Sequence, residues 1–131
     1  MNFSSARIIT ADIKRLVQFY EHVTGTPANW YTDDFAELRT SLATLAIGST
    51  RTLQLFGGDE VATAASNRSV IIEFRVTDVD KNYEALAAFM GNAVVQPPTT
   101  MPWGNRSLLF RDPDGNLINF FTPVTAEAKK R

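Results

Sequence analysis

Cysteine is absent from this chain, which excludes disulfides, thiolate nucleophiles and any metal site built on sulfur. Histidine occurs once, at His22, in a stretch with helical spacing. The expected role of His22 is that of a partly exposed helix residue, and a Ser-His-Asp triad is excluded in practice. There is no GxSxG element and no phosphate loop, and the seven glycines are not grouped as GxGxxG, which argues against a dinucleotide fold. No apolar run approaches the roughly 20 residues that a membrane span needs. Basic and acidic residues nearly cancel, 13 against 14, for a net charge of -1. Neither nucleic acid nor a membrane is therefore expected as a partner. The first seven residues lack the basic start and apolar core of a signal peptide, so a cytoplasmic location is expected.

What remains is an ordinary globular composition, 44% hydrophobic and 21% charged over 131 residues. That is one domain's worth of chain, able to bury roughly two thirds of its unfolded surface. The most informative stretch is residues 98–121. Two apolar runs, 107–111 and 117–121, flank Asp112-Pro113-Asp114-Gly115. Aspartate starts a type I turn, Pro113 presets φ at its second position and Gly115 closes it, so a β-hairpin is predicted. Upstream, Met101-Pro102-Trp103-Gly104 sets a large aromatic in a proline-bounded loop.

From the N-terminus, residues 6–10 read as a strand. Asp12 then opens a helix with apolar positions at Ile13, Leu16, Val17, Tyr20 and Val23, and Gly25 stops it. Strands are predicted at 28–31, 36–39, 42–47 and 51–56, with a turn at Gly48-Ser49-Thr50 and a polar loop over 57–67. The pattern then restarts. Residues 69–76 read as a strand, and Asp78 opens a helix that Gly91 closes. A short strand begins at 93–95, residues 97–104 form a loop, and the hairpin completes the set. The tail from Thr125 is expected to be a frayed terminus.

Residues 12–25 and 78–91 have equal length and the same neighbours. A shift of 66 places Ile8 on Phe74 and Ile13 on Val79, and a shift of 65 near the ends places Gln54 on Asn119. The expected fold is therefore α+β: a single domain, 1–131, of two tandem βαβββ modules (about 5–56 and 69–122). These form a curved, mostly antiparallel sheet around a concave cavity.

The sequence resembles the vicinal oxygen chelate superfamily, which includes glyoxalase I, bleomycin resistance proteins and extradiol dioxygenases. The resemblance rests on Phe19-Tyr20-Glu21 with Gly25, and on Arg111-Asp112-Pro113-Asp114-Gly115-Asn116. Pro102-Trp103-Gly104-Asn105-Arg106 is most similar to the bleomycin resistance branch. In metal-using members, four side chains point into the concavity, usually His, Gln or Glu. The corresponding positions here are Ser5, Ile71, Gln54 and Asn119. Ile71 offers no donor and Asn119 only a neutral amide, whereas a divalent ion in an N/O site favours imidazole or carboxylate. No metal and no other cofactor is expected. The resemblance also implies a homodimer.

Strand alternation then sorts the faces. Arg7, Ile9, Gln54, Phe56, Ile71, Glu73, Asn119 and Phe121 are predicted to line the concavity, with Trp103 and Trp30 at its rim, while Leu53 and Leu55 pack inward. Arg7 and Glu73 either pair with each other, as buried charges do, or one orients a polar ligand and Glu73 serves as a general base. Trp103 either anchors its loop in the core or offers a stacking surface. Tyr31 and Phe35, flanking Asp33-Asp34, form a lid, an acidic rim or a solvated turn. The expected function is metal-independent binding and sequestration of an aromatic or amphipathic small molecule, and the resemblance implies a role in antibiotic resistance. The alternatives are a metal-dependent lyase, isomerase or dioxygenase, and an interaction module whose cavity its own side chains fill.

Overall fold

In the computed structural model, which describes residues 1–131, the chain forms two units, Met1–Asn67 and Arg68–Arg131. The first opens on strand β1 (Ser5–Thr10) and helix α1 (Ile13–Thr24). The Asp12 carboxylate accepts the Arg15 amide at 3.2 Å, and Gly25, in the left-handed region, donates its N–H to the Glu21 carbonyl. Both ends of the helix are thereby satisfied. Twelve residues make a marginal helix in water, so its stability comes from the buried stripe Ile13, Leu16, Val17, Tyr20 and Val23.

Strands β2 (Asn29–Thr32), β3 (Phe35–Arg39) and β4 (Thr44–Ser49) complete a sheet of order β1-β4-β3-β2. β1 and β4 run parallel; the other two ladders are antiparallel. Helix α1 covers the face that carries Ala36, Leu38, Leu45 and Ile47, all buried. The register places Arg7 beside Ala46 and Ala46 beside Glu37, and Ile9 beside Gly48 and Gly48 beside Phe35. These residues share the opposite, open face of the sheet.

The strand expected over 51–56 is instead a 3-10 helix, Thr50–Phe56. Local side-chain bonds decide this. Ser49 Oγ accepts the Arg51 amide at 3.2 Å, and Thr52 Oγ1 donates to the Ser49 carbonyl at 2.7 Å. Such bonds turn the backbone away from an extended ladder. Gly57, at φ 105, closes the segment. Leu53 is buried, but Leu55, expected inward, is 83% exposed. Gly48 and Ser49, expected in a turn, are the last residues of β4.

The second unit contains β5 (Ile71–Arg75), α2 (Val79–Met90), β6 (Val94–Thr100), β7 (Asn105–Arg111), β8 (Leu117–Pro123) and a short α3 (Ala126–Lys129). Its sheet order is β5-β8-β7-β6, with β5 and β8 parallel. Asp78 caps α2 through the Lys81 amide. Helix α2 packs on a face carrying Leu108, Phe110, Ile118 and Phe120, all essentially without solvent contact. The Phe120 ring meets Phe110 edge-on at 5.0 Å and Phe74 at 5.6 Å.

Strand β6 runs through Pro97 and Pro98, where a loop was predicted. It is an edge strand, and the register shifts between Val94 and Gln96 and again between Gln96 and Thr99. Missing amide donors are tolerated at such an edge. The tail is also more ordered than its polarity implies. Thr125 Oγ1 accepts the Ala128 amide at 3.1 Å, and Ala128 is buried. Gly104 makes room for this: a Cβ there would run into Thr125 Oγ1 and lie 3.0 Å from Ala128 Cβ.

Candidate functional site

On the open face of the first sheet, the side chains of β4 are small: Thr44, Ala46 and Gly48. Larger side chains stand on either side, Arg7 and Ile9 from β1 and Phe35 and Glu37 from β3. Gly48 is needed here for space. A Cβ at that position would lie 2.9 Å from Thr52 Oγ1 and 3.6 Å from both Arg7 Cδ and Ile9 Cδ1. Across this low floor the Arg7 guanidinium carbon rests 4.4 Å from the centre of the Phe35 ring and 5.0 Å from that of Phe56. Both are cation–π distances. The row continues through Tyr31, whose ring centre lies 5.8 Å from Phe35, to Arg39, 5.8 Å from Tyr31.

The charges on this face are unequal. Arg39 is paired with Glu37 at 3.1 Å. Arg51 is paired with Asp34 at 2.7 Å. That guanidinium, with the Ser49 hydroxyl, holds the Asp34 carboxyl below the ordinary carboxylate range. Arg7 has the two rings and no acidic partner.

In the second unit, Glu73 and Asn119 are direct partners across β5 and β8. Asn119 Nδ2 donates to Glu73 Oε2 at 2.8 Å. Asn119 is only 8% exposed, and its Oδ1 is buried with no hydrogen-bond donor. Glu73 itself is exposed. Ile71, opposite Leu117, and Phe121, between Arg75 and Ser107, lie on the same face.

Within its own unit Arg7 rests on rings, and within its own unit Glu73 takes an amide. Gln54 is corrected: it sits on the 3-10 helix, where Nε2 donates to Asp59 Oδ1 at 2.8 Å. It borders a cleft of about 450 Å³ that Arg51, Leu53 and Thr63 also line. Phe56 shares the 3-10 helix, yet its ring reaches Arg7. Trp103 is 58% exposed and so does not anchor a core; its carbonyl accepts from Arg131. Trp30 is opposite Ala36, which places it on the helix side of its sheet, although its ring is partly exposed. His22 is exposed on α1. Phe35, Ala46 and Gly48 are the site residues that sequence reasoning missed. The Gly48-Ser49 pair looked like a turn, and Phe35 looked like part of a lid.

A profile built on the glyoxalase/bleomycin resistance protein/dioxygenase superfamily matches residues 2–120. The chain belongs to that superfamily. The Bacillus subtilis (strain 168) protein described as uncharacterized protein YraH is 27% identical over 125 residues, 92% of this chain and 98% of its own. Two solved structures show the same fold. One is a glyoxalase/bleomycin resistance protein/dioxygenase family enzyme from Burkholderia phytofirmans PsJN, with TM-score 0.82, 19% identity and coverage of 95% and 100% of the two chains. The other is a glyoxalase/bleomycin resistance protein/dioxygenase from Nocardioides, with TM-score 0.77, 23% identity and coverage of 96% and 85%.

For a glyoxalase-superfamily chain, the metal question turns on donor chemistry. The open faces of β1, β4, β5 and β8 carry one carboxylate, Glu73, one amide, Asn119, and no imidazole. No three His, Cys, Asp or Glu side chains come together as a metal would require. This donor set does not fit a divalent ion.

Proposed function

We propose that this chain is a small-molecule-binding member of the superfamily, taking up an aromatic or amphipathic compound without a resident metal. The carrying observation is the run of aromatic rings on the open face of the first sheet. Tyr31, Phe35 and Phe56 are ranged beside the small side chains of β4. Ala46 and Gly48 are buried beneath these side chains, so the surface available for offset stacking is that of the exposed rings of Tyr31 and Phe56. Phe56 is 56% exposed, surface that a bound ring would cover. Binding sites of this kind are mostly apolar with a few orienting polar groups. Arg7 is such a group in the first unit, and Glu73 with Asn119 in the second. Ile71, Phe121 and Trp103 are further ligand contacts in this reading.

Isothermal titration calorimetry with a panel of one- and two-ring aromatic compounds tests it. Micromolar binding to at least one member is expected, weakened about tenfold in Phe56→Ala. Elemental analysis of the same protein is expected to give less than one bound ion per chain. Silence across the panel, or stoichiometric Ni, Zn, Mn or Fe, would remove the basis for the proposal.

One observation favours an enzymatic reading instead. Glu73 is exposed and held in place by Asn119, which is how a general base is positioned. Under that reading, turnover of a panel compound disappears in Glu73→Gln while its binding persists.

A homodimer is part of the proposal. The superfamily resemblance implies it, and the exposed apolar side chains Leu42, Val70 and Ile71 are of the kind that association covers. Sedimentation velocity at micromolar concentration is expected to give twice the 14.5 kDa chain mass; a single species at the chain mass would contradict it.

A further inference from the structure

The geometry points to a narrower ligand class: a planar aromatic acid whose carboxylate is received by Arg7. This rests on the small-molecule reading above. The argument begins with what Arg7 lacks. Arg39 and Arg51 each have a carboxylate partner, at 3.1 and 2.7 Å. Arg7 has none, and its guanidinium makes no hydrogen bond. Its nearest acidic neighbour along the row is Glu37, one strand beyond Ala46 and already paired with Arg39. Asp34, at the turn into β3, is held by Arg51 and Ser49.

Arg7 is nevertheless held in position. Its carbon lies 4.4 Å from the Phe35 ring centre and 5.0 Å from that of Phe56. The N–H donors of a guanidinium lie in its plane, and those of Arg7 make no hydrogen bond within the chain. A guanidinium positioned by rings, with its edge unused, matches a carboxylate bidentately. The exposed ring of Phe56 offers surface beside the guanidinium for the aromatic part of such an acid. Gly48 lets Thr52 and Arg7 pack close over β4, since a Cβ there would lie 2.9 Å from Thr52 Oγ1. A neutral ring compound satisfies the stacking but leaves the cation without an acceptor. The site therefore discriminates by charge as well as by shape.

The test uses the full chain and matched pairs: benzoate with benzamide, 2-naphthoate with 2-naphthamide, and indole-3-carboxylate with its amide, titrated calorimetrically at 50 and 300 mM salt. At least one acid is expected to bind about 10- to 100-fold more tightly than its amide, with the gap narrowing at high salt. Arg7→Met is expected to abolish the gap, so that each acid binds no more tightly than its amide. Arg7→Lys, which keeps the charge but loses the planar fork, is expected to recover only part of it. Phe35→Leu keeps the cation and removes one ring, and is expected to weaken the preferred acid about fivefold. Circular dichroism of each variant separates loss of binding from loss of folding. If acids and amides bind wild type equally, or if Arg7→Met keeps the preference, the acid assignment is wrong while the small-molecule reading stands. If no compound of either kind binds, both fail.

Discussion

Phe120→Ala is expected to destabilise the second unit by about 3–5 kcal/mol. Phe120 is 1% exposed, and its ring meets both Phe110 and Phe74 edge-on. Truncation removes the transfer free energy of a phenyl ring and two ring–ring contacts at once. The hole it leaves is walled by Leu108 and Ile118 on the neighbouring sheet positions, which cannot collapse without distorting the β7–β8 ladder. Urea denaturation followed by far-UV circular dichroism measures the loss. Phe120→Leu keeps most of the volume and is expected to cost less than half as much. A loss below about 1 kcal/mol for the alanine variant would mean that this cluster is not the core it resembles.

Asp112→Ala is expected to cost about 2–4 kcal/mol, from a different source. Asp112 is buried, and its carboxylate takes the Asp114 and Asn116 amides at 2.9 Å and the Asn116 side-chain amide at 2.8 Å. Alanine leaves those donors without an acceptor at a site that water reaches poorly. Asp112→Asn retains acceptor capacity but not the charge, and is expected to fall between wild type and alanine. Amide hydrogen exchange locates the effect. Asn116 should lose protection in both variants, far more in the alanine form, while the buried stripe of α1 in the other unit stays protected. Unchanged exchange at Asn116 would show that the backbone turn, and not the carboxylate, holds the hairpin.

These expectations concern parts of the chain that were readable from residues alone, for physical reasons. Asp12 and Gly25, and again Asp78 and Gly91, are strong punctuation with an amphipathic stripe between them, and the helices fall between those marks. The Asp112–Gly115 turn carries its own chemistry, so β7 and β8 lie on either side of it. Residues 51–56 were misread because Leu53 and Leu55 alternate as a half-buried strand would. The deciding signal was Ser49 ahead of them, a residue able to cap, with Gly57-Gly58 behind. The same alternation places Gln54 on a strand, whereas it sits on the 3-10 helix. Ala46 and Gly48 carry no signal of their own that β4 is the neighbour of β1. Phe35 as the partner of Arg7 was beyond sequence reading, because the contact crosses β4 and depends on a register that alternation does not fix. The tail was misjudged because a four-residue helix with a single buried alanine has too little pattern to detect.

The parallel pairing of the first and last strand in each unit constrains how the protein is made. β5 emerges from the ribosome early, but its hydrogen-bonding partner is β8, translated after α2, β6 and β7. Until Leu117–Pro123 has been made, one edge of β5 has no ladder to join, and the helix behind it covers an unfinished sheet. The closing step of each unit is thus a long-range one, entropically slow compared with hairpin formation. A nascent chain halted within β7 would present apolar Ile72 and Phe74 to whatever chaperones attend the exit tunnel.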